Sequence, residues 1–344
     1  MTERLSERRL NRAVLARQLL LDRSDLPIEG VLEQVAGLQA QYAPSGYIGL
    51  WSRIRDFERP MLTRALEDRH VIQATLMRAT IHLVSAADYW PMVHAVRRVR
   101  REWWLRVARS QLGDVDVDAL AAATRDALAG GPLRQKELGE RLRAAGFGSG
   151  VTGANMVVDL VRVPPSGTWE RRRADLYGLA DAWLPEPAFD EEAAIDHLVR
   201  RYLGGFGPAT DREIATFAGL ELSQVRGSLG RIEHRRFADR LVDLPDAPLP
   251  AEETPAPVRF MGHWEAVLLV HARRAQVLPE AYRPRIFHTK APQSFATFLV
   301  DGQVAGTWRH EPAGITLKPF APLAPAARRE VEDEAHRLES LFSH

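Results

Sequence analysis

Apolar residues near the start of the chain recur at helical spacing and then give way to a β-branched stretch. The spacing predicts helices over residues 6–21, 27–38, 49–55 and 59–68. Residues 71–85 are rich in valine, isoleucine and threonine, which favour strands, and they predict two strands joined by a tight link. Helices followed by a β-hairpin are typical of a winged-helix unit.

The same order of helices and hairpin recurs twice more along the chain. The second copy is predicted to contain helices over 117–129, 133–145 and 152–161, followed by a turn and strands over 163–184. The third copy is predicted to contain helices over 191–203, 211–218 and 222–232 and a hairpin over 237–244. Gly219 lies between two of these helices, where a helix-turn-helix needs a residue that tolerates positive φ.

Strands dominate the last quarter of the chain, beyond a proline-rich linker at residues 245–257. Strands are predicted over 258–270, 294–300, 303–310 and 314–320, with a hairpin turn at Asp301 and Gly302 and a final helix over 324–342. We therefore predict a mainly α fold with β structure (α+β), built from three tandem winged-helix units and a small C-terminal β-barrel-like module. The predicted boundaries are 1–112, 113–188, 189–248 and 249–344.

Composition narrows the class of protein. The 344 residues are 45% hydrophobic, enough for several cores, yet no apolar run approaches the roughly 18 residues that cross a bilayer. The chain starts in a charged helix without the apolar core of a signal peptide, and it contains no cysteine, which excludes disulfides and thiolate metal sites. We expect a cytoplasmic, nucleoid-associated protein with no membrane partner.

The charge is distributed unevenly, although the net charge is only +1. Residues 94–109 carry six arginines against one glutamate on a predicted helix, and Arg171, Arg172 and Arg173 form a second cluster in a predicted hairpin. Arginine binds phosphate in a bidentate fashion, and three winged-helix units in series are hard to explain without nucleic acid. DNA or RNA binding is therefore the leading prediction.

Gln39 and Gln41 are the main candidates for chemistry. Residues two apart in an extended stretch point the same way, so both amides can reach one small object, such as a water or a base edge. The alternative is that both amides cap the preceding helix or face solvent. The eleven histidines show no pair at metal-ligand spacing on one element, so no metal site is predicted.

Four motifs occur in order along the chain: LQAQYAP at 38–44, RATIHLV at 78–84, VPPSGTW at 163–169 and FLVDGQVAGTWR at 298–309. Together they resemble the bacterial AlkZ and YcaQ family of winged-helix DNA glycosylases, over nearly the whole chain. The resemblance implies three tandem winged helices plus a β-barrel that form a concave DNA-binding face. It also implies excision of bulky or cross-linking N-alkylpurines, in some members as self-resistance to genotoxic natural products.

The resemblance implies that Gln39 and Gln41 are catalytic, since the AlkZ-like branch carries a glutamine, one residue and a second glutamine. Alkylation at N7 or N3 makes a purine cationic and a good leaving group, so the enzyme needs only to position a water at the sugar carbon. Two amide oxygens can orient that water. This scheme predicts a monofunctional glycosylase without a lysine nucleophile, metal or cofactor. We expect its substrate to be duplex DNA that contains alkylated purines. We also expect the protein to act as a monomer, without an obligatory protein partner.

Other residues are expected to shape the site or to bind DNA. Arg78, Thr80 and His82 on the first hairpin are candidates for shaping the site or contacting phosphate. The expected contacts to the DNA backbone are Arg97, Arg98, Arg100, Arg101, Arg171, Arg172 and Arg173. Residues 259–265 depart from the family, in which many members carry a proline and an aspartate there. The rival hypothesis is a non-catalytic winged-helix DNA-binding protein or regulator.

Overall fold

The computed structural model describes residues 3–112, 115–148, 150–188, 190–272, 274–288 and 293–343. Its helices are α1 (Glu7–Arg17), α2 (Ile28–Gln34), α3 (Ala43–Trp51), α4 (Arg59–Glu67), α5 (Ala86–Leu112), α6 (Val117–Leu128), α7 (Gln135–Ala144), α8 (Gly150–Val157), α9 (Ala180–Trp183), α10 (Glu191–Phe206), α11 (Asp211–Ala218), α12 (Leu222–Arg231), α13 (Arg283–Ile286) and α14 (Pro325–Glu339). Its strands are β1 (Leu38–Gln39), β2 (Val71–Thr75), β3 (Ile81–Ser85), β4 (Leu133–Arg134), β5 (Leu160–Arg162), β6 (Leu176–Leu179), β7 (Arg235–Arg236), β8 (Val242–Asp243), β9 (Arg259–Met261), β10 (Phe287–His288), β11 (Gln293–Ser294), β12 (Thr297–Val300), β13 (Gln303–Glu311) and β14 (Gly314–Pro319). Helices account for 51% of residues and strands for 16%, so the predicted mixture of α and β structure is confirmed.

Three stretches of the chain share one order of elements: helix, short strand, helix, helix and a two-stranded hairpin. In the first stretch β1 pairs antiparallel with β3, and in the second β4 pairs with β6. In the third stretch the short strand is reduced to a bridge between Ala209 and Val242 of β8. The repeat predicted from the sequence is therefore present in the order and pairing of the elements. The predicted boundaries at residues 113 and 189 fall outside the described residues and stay predictions.

The hairpins of the first two stretches join into one six-stranded sheet, in the order β1-β3-β2-β5-β6-β4. The two halves meet where Ala74 of β2 pairs with Val161 of β5. Helix α5 leads from the first stretch to the second and packs along α10 of the third. One hydrophobic core joins α1, α5, α10 and α11. This packing holds the first hairpin between the second stretch and the helices of the third.

The C-terminal module is a four-stranded antiparallel sheet in the order β14-β13-β12-β9, with α14 packed against it. Asp301 and Gly302 form the predicted hairpin turn between β12 and β13, with φ of 47° and 78°. A second hydrophobic core joins this sheet and α14 to the helices of the first stretch. Among the described residues β14 and β9 do not pair with each other, so closure into a barrel stays a prediction.

Several predicted elements differ from the structure. The helix predicted over 152–161 is wrong at its end, because α8 ends at Val157 and strand β5 occupies Leu160–Arg162. The strand predicted over 258–270 is wrong beyond β9, because Trp264 has φ of 61° and 3₁₀ turns follow at Ala266–Leu268 and Val270–Ala272. Gly262 packs so closely on α3 that a Cβ there would lie 3.1 Å from the Cα of Ser45. The helix predicted over 49–55 lies earlier, at α3, because Pro44 occupies its first turn.

Buried ion pairs connect parts of the chain that are distant in sequence. Arg17 of α1 and Asp243 of β8 are fully buried, and their two contacts measure 2.6 and 2.9 Å. Arg53, after α3, pairs in the same way with Glu265 of the C-terminal module, at 2.8 Å. Both pairs are shielded from water, so each charge depends on its partner for electrostatic stabilisation.

Removing one partner of the buried pair should destabilise the fold strongly. We expect Asp243→Ala to lower the free energy of unfolding by about 3–5 kcal/mol, because the Arg17 guanidinium loses its carboxylate partner inside the protein. Urea unfolding followed by circular dichroism measures this change. The matched control is Arg328→Ala, which breaks an exposed pair with Glu332 and should cost less than about 0.5 kcal/mol. Equal losses of unfolding free energy in the two variants would contradict a stabilising role of the buried pair.

Candidate active site

The short strand β1 turns Gln39 to the face of the sheet opposite to Leu38, where it is half-buried. Leu38 pairs with Leu83 and is buried, whereas Gln39 pairs with His82 on the other face. The pairing continues past the strand, where the Ala40 N–H donates to the Ile81 carbonyl at 2.8 Å. Gln41, two residues beyond Gln39, is exposed.

Both glutamine side chains bind the first hairpin through their amide oxygens. Arg78 donates to Gln39 Oε1 at 3.0 Å, and the backbone N–H of Ile81 donates to Gln41 Oε1 at 3.1 Å. Neither amide oxygen caps the preceding helix, although Gln41 is exposed to solvent, as the alternative interpretation expects. An amide oxygen has two lone pairs, so each oxygen can accept a further hydrogen bond from a water.

Arg78 connects Gln39 to the third stretch of the chain. It lies in the tight turn between β2 and β3 with φ of 55°, and it donates at 2.6 Å to the carbonyl of Phe217 near the end of α11. Its guanidinium also lies 5.3 Å from the centre of the Phe217 ring. The carbonyl end of a helix carries partial negative charge, which stabilises a buried cation. Burial lowers the pKa of Arg78 to about 10, so it stays charged at neutral pH.

Thr80 and His82 fix the shape of this turn. The Thr80 hydroxyl donates to the Met77 carbonyl at 3.1 Å, and His82 Nδ1 lies 3.0 Å from the Thr80 carbonyl, so the tautomer with a proton on Nδ1 donates there. Burial, and then the charge of Arg78, lower the pKa of His82 to about 3. His82 is therefore a neutral side chain that orders the hairpin and cannot act as a general acid at neutral pH.

His271 is a polar residue near this site that the sequence did not suggest. It is buried among the rings of Tyr202, Phe206 and Phe217, and neither ring nitrogen has a hydrogen-bond partner among the described residues. Burial, with the charge of Arg78, holds the pKa of His271 well below its usual range. No spacing in the sequence marks this residue, because its neighbours come from α10 and α11.

The cluster Arg171 to Arg173 lies in the segment that joins the antiparallel strands β5 and β6, and one member reaches Tyr42. Arg172 donates to the hydroxyl of Tyr42, the residue after Gln41, at 3.0 Å. Arg171 is exposed, and Arg173 is exposed with its Nε 3.3 Å from Asp175. The Ser166 hydroxyl holds the turn by bonding the backbone of Arg173, Asp175 and Leu176.

The four arginines predicted to contact DNA from α5 are all engaged with carboxylates. Their partners are Asp159 and Glu186 for Arg97, Glu102 and Glu191 for Arg98, Asp159 for Arg100, and Asp118 for Arg101. Arg100 is also buried and donates to the Thr75 carbonyl, so it supports the junction of the first two stretches. Phosphate contacts from Arg97, Arg98 and Arg101 stay predictions.

Within the described ranges there is no group of three or more histidine, aspartate or glutamate side chains that could hold a metal ion. The same residues contain no helix that is long and apolar enough to span a membrane.

The depressed pKa of His82 has a consequence for stability. The unfolded histidine titrates near 6.5, so between pH 6.5 and 3 the unfolded chain binds more protons than the folded one, and stability falls as the pH falls. From His82 alone we expect a loss of about 2 kcal/mol between pH 7 and pH 5, with His271 acting in the same direction. Urea unfolding at the two pH values measures it, and His82→Gln should reduce the difference. An unchanged difference in that variant would show that His82 is not the cause.

No curated protein matches the chain. Among solved structures, the Streptomyces sahachiroi DNA glycosylase AlkZ is similar, with a TM-score of 0.81 and 20% sequence identity, covering 98% of this chain and 97% of that chain. At this identity the similarity shows a shared fold. The family model described as DNA glycosylase AlkZ-like matches residues 32–341, which include both glutamines. The chain therefore belongs to the AlkZ-like family of DNA glycosylases.

Proposed function

We propose that this chain is a monofunctional DNA glycosylase that removes bulky or cross-linked N-alkylpurines, such as N7-alkylguanine and N3-alkyladenine, from duplex DNA. The observation that carries the proposal is the pair of amide oxygens of Gln39 and Gln41, each held by the first hairpin. Family membership supports hydrolysis of an N-glycosyl bond, and the similar Streptomyces protein, a DNA glycosylase, supports DNA as the substrate. Self-resistance to a genotoxic natural product is the biological role we propose.

In the proposed reaction the bond between C1′ of the deoxyribose and the purine nitrogen breaks, and its electron pair leaves with the base. The cationic alkylpurine departs as a neutral molecule. A water held by the free lone pairs of Gln39 and Gln41 forms a new bond to C1′, and its proton passes to solvent. The products are an abasic sugar with a C1′ hydroxyl, the free alkylpurine and one proton.

Neutral amides suffice only where the base already carries its charge. Within the described residues, no carboxyl group is hydrogen-bonded to Gln39 or Gln41. His82 is uncharged. A neutral leaving group such as uracil needs a general acid, which this site lacks within the described residues. We therefore propose selectivity for alkylated, cationic purines.

The DNA would lie on three winged-helix units, which is our assignment for the three repeated stretches. Each such unit typically presents one helix to a groove and its hairpin to the backbone. The exposed arginines Arg101, Arg171 and Arg172 are our candidates for phosphate contacts, for which Arg101 would exchange its Asp118 partner. A monomer is sufficient for this arrangement.

The first test of the proposal is base release by glutamine variants. We expect Gln39→Ala and Gln41→Ala each to lower the single-turnover rate on duplex DNA with N7-methylguanine by about a hundredfold, because water positioning is lost. Free base released from the DNA is quantified by chromatography. DNA affinity should change little, because the amides bind water rather than phosphate.

Gln303→Ala is the matched control, since Gln303 is an exposed glutamine of the C-terminal sheet, and it should retain the wild-type rate. Full activity in both Gln39→Ala and Gln41→Ala would contradict the catalytic role of the two glutamines. Sequence-specific duplex binding by the wild type without any base release would favour the rival hypothesis of a non-catalytic DNA-binding protein.

Arg78 is expected to be a positioning residue that acts through Gln39. We expect Arg78→Met to lower kcat about tenfold with little change in KM, because the Gln39 amide loses the donor that orients it. Arg78→Lys keeps a cation but cannot bond Gln39 and Phe217 with one planar group, so it should recover only part of the rate. A fall in DNA affinity with unchanged kcat would instead indicate a phosphate contact.

A further inference from the structure

Tyr42 presents an exposed aromatic ring directly beside the catalytic pair. It follows Gln41 in the chain, precedes the first turn of α3, and is 40% exposed. Few large apolar side chains of the described chain are as exposed, the others being Leu26, Trp103, Val107 and Phe295. Tyr42 is the only one of these five within three residues of either glutamine. The reaction proposed above does not use it.

The ring of Tyr42 is held by two parts of the protein that are distant in sequence. Arg172 donates to its hydroxyl at 3.0 Å. His263 packs against the ring edge-to-face, with centroids 5.7 Å apart and an interplanar angle of 89°. Because the first two stretches and the C-terminal module all contribute, the ring is oriented before any ligand binds, which reduces the entropy cost of stacking on it.

His263 is itself fixed rather than mobile on the surface. Its Nδ1 lies 2.6 Å from the Ser294 carbonyl, and the next residue, Trp264, donates its backbone N–H to the Ser294 hydroxyl at 2.6 Å. Trp264 has φ of 61°, a conformation that a tryptophan adopts only when its surroundings impose it. The chain therefore turns sharply at this point and directs His263 toward Tyr42.

The surroundings of Tyr42 are cationic. Arg172, which bonds the Tyr42 hydroxyl, and its chain neighbour Arg171 are both exposed. Arg172 and Arg59 lie over the Trp169 ring, at 5.6 and 5.0 Å from its centre. Glu170 and Asp175 are acidic side chains of the same turn and offset part of this charge, Asp175 by pairing with Arg173. An aromatic ring flanked by arginines fits a nucleic-acid strand, because the bases offer planar faces and the phosphates offer negative charge.

We propose that Tyr42, supported by His263 and Arg172, is a stacking subsite for the nucleobase next to the nucleotide that is hydrolysed. The ring takes the planar face of that base, and Arg171 and Arg172 meet the adjoining phosphates. The subsite rests on the proposed function, which places the reacting nucleotide at Gln39 and Gln41. It holds the sugar of that nucleotide where the bound water can reach C1′.

A duplex with a tetrahydrofuran abasic-site analogue and 2-aminopurine as the flanking base tests the subsite without any chemistry. Wild-type protein should quench the 2-aminopurine fluorescence on binding, because the base stacks on the ring. Tyr42→Ala should abolish the quenching and weaken binding about tenfold, the usual order of effect when a stacking aromatic is removed. Tyr42→Phe keeps the ring and should retain the quenching with affinity within about threefold.

Leu26→Ala is the control for loss of an exposed apolar side chain, and it should match the wild type. Quenching that persists in Tyr42→Ala, or quenching absent in the wild type, overturns the subsite. Base release from N7-methylguanine DNA is measured separately. A wild-type protein that stacks on the base but releases none would refute the glycosylase proposal alone, whereas one that releases base without quenching would refute the subsite alone.

Discussion

The pairing of the two-residue strand β1 with β3 is the constraint on which the site depends. Its register sets Leu38 against Leu83 in the core and Gln39 against His82 on the opposite face. A slip of one residue would move Leu38 out of this core and turn Gln39 into it, because side chains alternate along a strand. Packing of the two leucines therefore determines where the glutamine amides lie, although neither leucine takes part in the chemistry.

The tight turn after β2 extends this constraint to the third repeated stretch. Arg78 and Ala79 both have φ of 55°, a conformation that costs energy for residues with a Cβ and persists only where contacts hold it. The contacts here are the bonds from Arg78 to Gln39 and to the end of α11. A buried guanidinium held by two carbonyl oxygens fixes geometry while a helix terminus balances part of its charge.

The four arginines of α5 predicted to contact DNA all pair with carboxylates of the protein itself. Arginines that look like a DNA-binding ridge along the sequence pair with Asp159, Glu186 and Glu191 from the second and third stretches. These carboxylates are distant in sequence, so a local count of charges overstates the positive potential. Arginines on the turn beside Tyr42 are more exposed, and the proposed contacts of the substrate lie there.

The sequence by itself determined the order of helices and hairpins, the positive φ of Gly219 and the turn at Asp301 and Gly302, because periodicity and turn chemistry are local. It also marked Gln39 and Gln41 as a pair on one face. Tertiary structure alone decided that two hairpins join in one sheet, that the strand predicted after residue 258 breaks at Trp264, and that Arg78 and Arg172 reach the glutamine motif. These features arise from contacts between residues far apart in the chain, and local patterns carry no information about which distant partners will meet.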